Sequence, residues 1–221
     1  MKKIILFTAF LLINAILFAQ SEKYIIAMEK ALLQLDTAKT LEGWQKSANT
    51  FERIAMIETG EWLPAYYNAY CNMMLALQNM QLQKMDALTA HLDKAQASLD
   101  AAIAIAPKEA EIITLQGYIY QGRIWENPMV KGAEFSPKVQ EALQTAIAMN
   151  PENPRPYYLM GQQLLYTPDF YGGGAKAALP WFEKAEAKFA NYEPASKLLP
   201  NWGKGTNDYM LENTRKTLSG K

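Results

Sequence analysis

One histidine and one cysteine, His91 and Cys71, are all that 221 residues offer of the side chains that most often shuttle protons, attack carbonyls or hold transition metals. A zinc site of the His-Glu-x-x-His type needs a second histidine, and Asp93 lies too near His91 in sequence to share its helix face. His91 is therefore expected at the surface. Cys71 follows Tyr70 in a stretch rich in methionine and tyrosine, the setting of a buried structural thiol rather than a nucleophile. The run Gly172-Gly173-Gly174 with Lys176 lacks the spacing and the preceding strand of a phosphate loop, and Gly203-Lys204-Gly205-Thr206 fails in the same way. Both read as tight turns. There is no Gly-x-Ser-x-Gly elbow, and the carboxylates are scattered. These residues point to a protein that is not an enzyme, with no cofactor and no metal site.

The aromatic residues carry more information. Trp62, Tyr66, Tyr67 and Tyr70 lead one segment, while Tyr192 and Trp202 bracket a proline-containing linker. Trp125 and Phe135 flank one apparent insertion, and Tyr166, Phe170 and Tyr171 lie in another. Aromatics in helical proteins mostly fill holes between helices, but Trp and Tyr also anchor interfaces. Trp125, Phe135, Tyr166, Phe170 and Tyr171 are accordingly the candidate residues for binding a ligand or partner. The eleven methionines have a similar double reading, as plastic core filler or as an adaptable groove.

The elements that would position these residues are helices. Hydrophobic residues make up 50% of the chain and charged residues 20%, a globular balance sufficient for one core. Strong helix formers dominate, and apolar residues recur at three and four, as in Leu92, Ala95, Leu99, Ala102 and Ile103. The pattern predicts helices near 22–36, 40–58, 63–79, 83–105, 108–124, 137–149, 154–165, 175–189 and 206–218. Ser136-Pro137 and Asn153-Pro154 each place a capping residue before a proline at the first helical position. Pro180 falls inside a helix and should kink it or delay its start.

Ahead of these helices, Lys2 and Lys3 precede an apolar run from Ile4 to Phe18, followed by Ala19-Gln20-Ser21. This is the plan of a secretory signal, and the run is short of the roughly 20 residues a membrane span needs. Residues 1–19 are expected to be removed, leaving one domain, 20–221, in the periplasm or outside the cell. A retained anchor is the alternative. Lys+Arg and Asp+Glu balance at 22 each in the full chain, so there is no basic field for nucleic acid. A single cysteine leaves the exported domain without an internal disulfide.

A repeat runs through the helices. Ala95, Leu99, Ala102 and Pro107 have steps of four, three and five, as do Val139, Leu143, Ala146 and Pro151. Ala178, Phe182 and Ala185 repeat the first two steps, and Ser47, Phe51 and Ile54 give a weaker copy. After the prolines, Ile113, Gly117 and Tyr120 are matched by Tyr157, Gly161 and Leu164. Small residues would let paired helices approach while a large one fills the hole between them.

This arrangement resembles the tetratricopeptide repeat. The resemblance implies an all-α fold, an irregular α-α superhelix of about four helical hairpins closed by a C-terminal capping helix. Ala102 to Ala146 is 44 residues and Ala146 to Ala185 is 39, against about 34 in the family, so the hairpins are spaced irregularly. Stacked hairpins supply extended surface. The expected function is a scaffold that binds a protein or peptide partner. The rival is a small-molecule carrier, since the glycine-rich loop 166–174 before a helix is similar to that in the tetratricopeptide component associated with some TRAP-type transporters. At the other end, Tyr209, Met210 and Leu211 should pack inward from the capping helix.

Overall fold

The computed structural model describes residues 22–220, and the expected signal, 1–19, lies outside the described residues. Helix α1 covers 22–36. It is followed by α2 (Leu41–Ile57), α3 (Trp62–Gln81), α4 (Met85–Ile105), α5 (Ala110–Glu126), α6 (Pro128–Met149), α7 (Arg155–Tyr166), α8 (Ala175–Phe189) and α9 (Lys204–Ser219). No strand occurs among the described residues, and no helix there is long and apolar enough to cross a membrane.

The architecture is an all-α superhelix. Helices α3 and α4, α5 and α6, and α7 and α8 pack as successive hairpins, and α9 closes the end against α8. The first helices of the hairpins also touch one another, α3 against α5 and α5 against α7, and so form a continuous inner layer.

The repeat residues do what their spacing predicts. Ser47, Phe51 and Ile54, Ala95, Leu99 and Ala102, Val139, Leu143 and Ala146, and Ala178, Phe182 and Ala185 are all buried. Gly117 of α5 lies so close to Leu143 of α6 that a Cβ would sit 2.7 Å from the leucine side chain. Gly161 of α7 meets the Phe182 ring of α8 at the same distance. The absent side chain is the hole, and the leucine or phenylalanine is its filler.

Three expectations need correcting. Helix α6 starts at Pro128, not 137, so the apparent insertion 125–135 is mostly helix. Asn127 and Pro128 supply the start instead: the Asn127 side chain accepts the Val130 N–H, and proline takes the first position, where no N–H is needed. Pro137 sits inside the helix, and α8 likewise runs through Pro180. At the C-terminus Leu211 is buried and Met210 half-buried, but Tyr209 is exposed. Inward anchoring comes instead from Asn207, fully buried, whose amide donates to the Phe182 carbonyl at 3.2 Å. His91 is half-buried, with Nδ1 3.1 Å from the Asn72 side-chain oxygen, and its pKa is lowered by burial and by Lys94. Cys71 is buried and free, as expected, and burial pushes its thiol up.

Filling the α7 hole should separate packing from helix propensity. Gly161→Ala is expected to destabilise by about 1–2 kcal/mol, because overpacking against Phe182 outweighs the propensity gain. Gly132→Ala in α6, where a Cβ meets nothing within 4 Å, should stabilise by about 0.5–1 kcal/mol. Urea midpoints of the two variants, moving in opposite directions, would check this.

Candidate functional site

The linker between α8 and α9, residues 190–203, does not loop away into solvent. It runs as an irregular strap over the inner layer, touching α3, α5 and α7 through side chains. Pro194 and Pro200 deny it two backbone donors, which suits a segment that joins no helix. Three contacts hold it. The Tyr67 hydroxyl donates to the Leu198 carbonyl at 2.8 Å, the Trp202 indole N–H donates to the Tyr66 hydroxyl at 2.9 Å, and Arg155 donates to the Tyr192 hydroxyl at 2.7 Å.

Beneath the strap lies a buried ion pair. Arg155, at the start of α7, has no exposed surface, and Glu111 of α5 is buried with it. Arg155 Nε donates to Glu111 Oε2 at 2.9 Å, and Nη2 donates to Oε1. The buried Asn153 completes the group, its amide donating to Glu111 at 3.0 Å and its oxygen accepting the Arg155 N–H at 3.1 Å. Burial disfavours the guanidinium charge, but Glu111 overcomes this and raises the Arg155 pKa above the ordinary arginine value. The guanidinium also lies 4.7 Å from the Tyr192 ring centre and 5.7 Å from that of Trp202.

Where the strap passes α1, α2 and α3 it closes one side of a cavity of about 340 Å3. Leu32, Leu35 and Ala38 give it an aliphatic wall, and Trp44, Tyr67, Tyr70 and Trp202 an aromatic one. Polar groups gather in the same lining: Asp36 from the end of α1, Lys39 from the α1–α2 connection, and Lys197 and Asn201 from the strap. Both lysines are exposed, and neither makes an ion pair among the described residues. The lining thus mixes aromatic and aliphatic faces with polar groups, at a volume within the range of small-molecule sites.

The aromatic groups continue past the cavity as a track. Trp44 meets Tyr70 edge-on at 6.0 Å, Tyr70 stacks on Trp202 at 5.0 Å, Trp202 stacks on Tyr118 at 6.0 Å, and Tyr118 meets Trp125 edge-on at 6.2 Å. Burial raises the pKa values of Tyr66, Tyr67, Tyr70, Tyr118 and Tyr158 well above the ordinary tyrosine value. Their phenols stay neutral, as apolar surface with one polar tip.

Of the residues picked from the sequence, Trp125 stands at the outer end of this track. Phe135 packs beside Tyr120, with Lys138 over its ring at 4.5 Å. Tyr166, Phe170 and Tyr171 are 71%, 79% and 75% exposed, the first at the end of α7 and the other two on a short 3-10 turn (Asp169–Tyr171) ahead of α8. Gly172, at φ 82°, closes that turn in a conformation L-residues rarely adopt. None of the five lines the cavity. Sequence reading missed Trp44, Lys39 and Lys197, which no periodicity marks, and left Tyr192 and Trp202 only as flanks of a linker.

No protein-family model matches the chain, and no curated protein does. Among solved structures, the HusA haemophore from Porphyromonas gingivalis is similar, with a TM-score of 0.76 and 30% sequence identity. The match covers 88% of this chain and 94% of that one.

The ion pair should be a structural hub for inner layer and strap together. Glu111→Gln is expected to cost about 3–5 kcal/mol, because it strands a buried guanidinium. The paired change of Glu111 and Arg155 to Met should cost far less, since no buried charge is then left unmatched. Equilibrium urea unfolding of both variants would check the contrast.

Proposed function

Since the chain belongs to the family of the HusA haemophore, we propose that it is an exported carrier of a haem-type ligand, a flat tetrapyrrole held in the cavity beside the strap. The cavity of about 340 Å3 walled by Trp44, Tyr70 and Trp202 is the observation that carries this reading. A planar aromatic ring gains apolar burial and stacking there. Lys39 and Lys197 would meet the carboxylates that such rings bear, while the aliphatic wall covers the opposite edge. The secretory plan of residues 1–19 fits a carrier that works outside the cytoplasm, and the hairpins read as diverged tetratricopeptide units adapted to one enclosed ligand.

The donor set says which part of the ligand would be recognised. No histidine, cysteine or methionine lines the cavity. Tyr67 and Tyr70 line it, but burial keeps their phenols neutral, and Tyr67 is already committed to the Leu198 carbonyl. The residues fit the ring and its carboxylates and offer no evident ligand to a central iron. Haem and the metal-free ring should therefore bind alike.

A second reading, binding of a protein or peptide partner, is favoured by one observation: Tyr166, Phe170 and Tyr171 expose three aromatic rings between the end of α7 and the turn that follows it. Hot-spot aromatics of this kind anchor interfaces. Phe170→Ala with Tyr171→Ala should leave ring binding untouched and abolish any partner captured by the wild-type chain from cross-linked envelopes. Equal capture by the variant would remove this reading.

Titration of the mature protein with haemin and with protoporphyrin IX, followed by ligand absorbance and tryptophan quenching, should give saturable binding of both. Trp44→Ala is expected to weaken each by about tenfold, the loss of one aromatic wall. Saturable binding of neither would end the carrier reading.

A further inference from the structure

Trp202 is itself a flat aromatic group lying on the inner layer. Its indole stacks on Tyr70 with an interplanar angle of 19° and on Tyr118 with one of 24°, and its N–H is satisfied by Tyr66. It is nonetheless only partly buried. The strap that carries it makes no backbone hydrogen bond to another element from residue 192 to residue 202 among the described residues. Side chains alone hold it, and Gly203 follows Trp202 at φ 106°, a flexible joint between strap and α9. On its near side Trp202 is a wall of the cavity. Lifting the strap would therefore join the cavity to the tyrosine surface beneath, with no helix disturbed.

We propose that the Tyr70–Tyr118 surface now covered by Trp202 is the inner half of the ligand site, and that a planar aromatic ligand takes it by displacing the indole together with strap residues 192–202. This rests on the carrier reading and revises its site: Trp44, Tyr70 and Lys39 remain as fixed contacts, while Trp202 and Lys197 leave with the strap. The strap is then an internal competitor: an aromatic side chain on a tether, holding the stacking surface dry until a larger ring exchanges for it. A cavity of about 340 Å3 lies at the small end of ligand pockets, and the exchange is what enlarges it. Apparent affinity falls in proportion to the fraction of molecules with the strap lifted. Weakening the latch must then tighten binding, whereas weakening a fixed wall must loosen it.

Tyr192→Phe separates the two. It removes the hydroxyl that accepts from Arg155, leaves the ring over the guanidinium, and lies outside the cavity lining. With protoporphyrin IX as probe, the variant should bind about three- to tenfold tighter with a faster on-rate, as a larger open fraction requires. Unchanged or weaker binding by the variant would overturn the displacement while leaving the carrier reading intact. Absence of saturable binding by the wild-type chain would instead remove the carrier reading and this proposal with it. A second measurement needs no variant. Trypsin cleavage after Lys197, in the middle of the strap, should accelerate in wild-type protein saturated with protoporphyrin IX. Slower cleavage would mean that the strap closes over the ligand, and would overturn the proposal.

Discussion

A guanidinium with no exposed surface organises this molecule. Arg155 begins α7, Glu111 begins α5, and Tyr192 begins the strap, so one charge centre ties two inner helices and the segment that crosses them. Burying such a pair rarely adds net stability over an apolar filling of the same shape, so its value lies in specificity. A stack of hairpins bound only by alanine, leucine and methionine surfaces could slide or bend. The Glu111–Asn153–Arg155 group admits one register of α7 on α5, and with it one path for the strap.

The strap in turn decides what the inner layer can be. In an open superhelix the first helix of each hairpin lines a groove suited to extended peptides. Here Tyr67, Tyr66 and Arg155 spend their hydrogen bonds on the chain's own segment. The strap thereby covers part of that face, and beside it remains a half-open pocket with aromatic, aliphatic and charged walls. That geometry favours a compact ligand on the inner face and leaves the exposed aromatic turn 169–171 as a separate surface.

The fold was legible because it rests on local, periodic constraints. Small-large complementarity between Gly117 and Leu143, or Gly161 and Phe182, writes itself into the sequence as a spacing that recurs. The start of α6 was not legible. Asn127-Pro128 and Ser136-Pro137 carry the same cap-and-proline signal, and only the packing of α6 on α5 selects the first. The site was the least legible part. Glu111 and Arg155 stand 44 residues apart and Tyr66 and Trp202 stand 136 apart, with no period linking them. Such pairings are products of the superhelix closing on its own C-terminal segment, and a one-dimensional pattern cannot carry them.

The aromatic track runs from the cavity to one residue that the sequence also marks. Trp125 was singled out for flanking an insertion, and it touches Tyr118, on which Trp202 stacks. The inner helices need large flat side chains to span the irregular gaps left by hairpins longer than a regular repeat. Rings that pack there also offer stacking faces, and burial keeps their phenols neutral. Packing and ligand recognition therefore draw on the same residues here. At Trp44, Tyr70 and Tyr118 the distinction between core and site is one of access, and access is governed by the position of a strap that only side chains hold down.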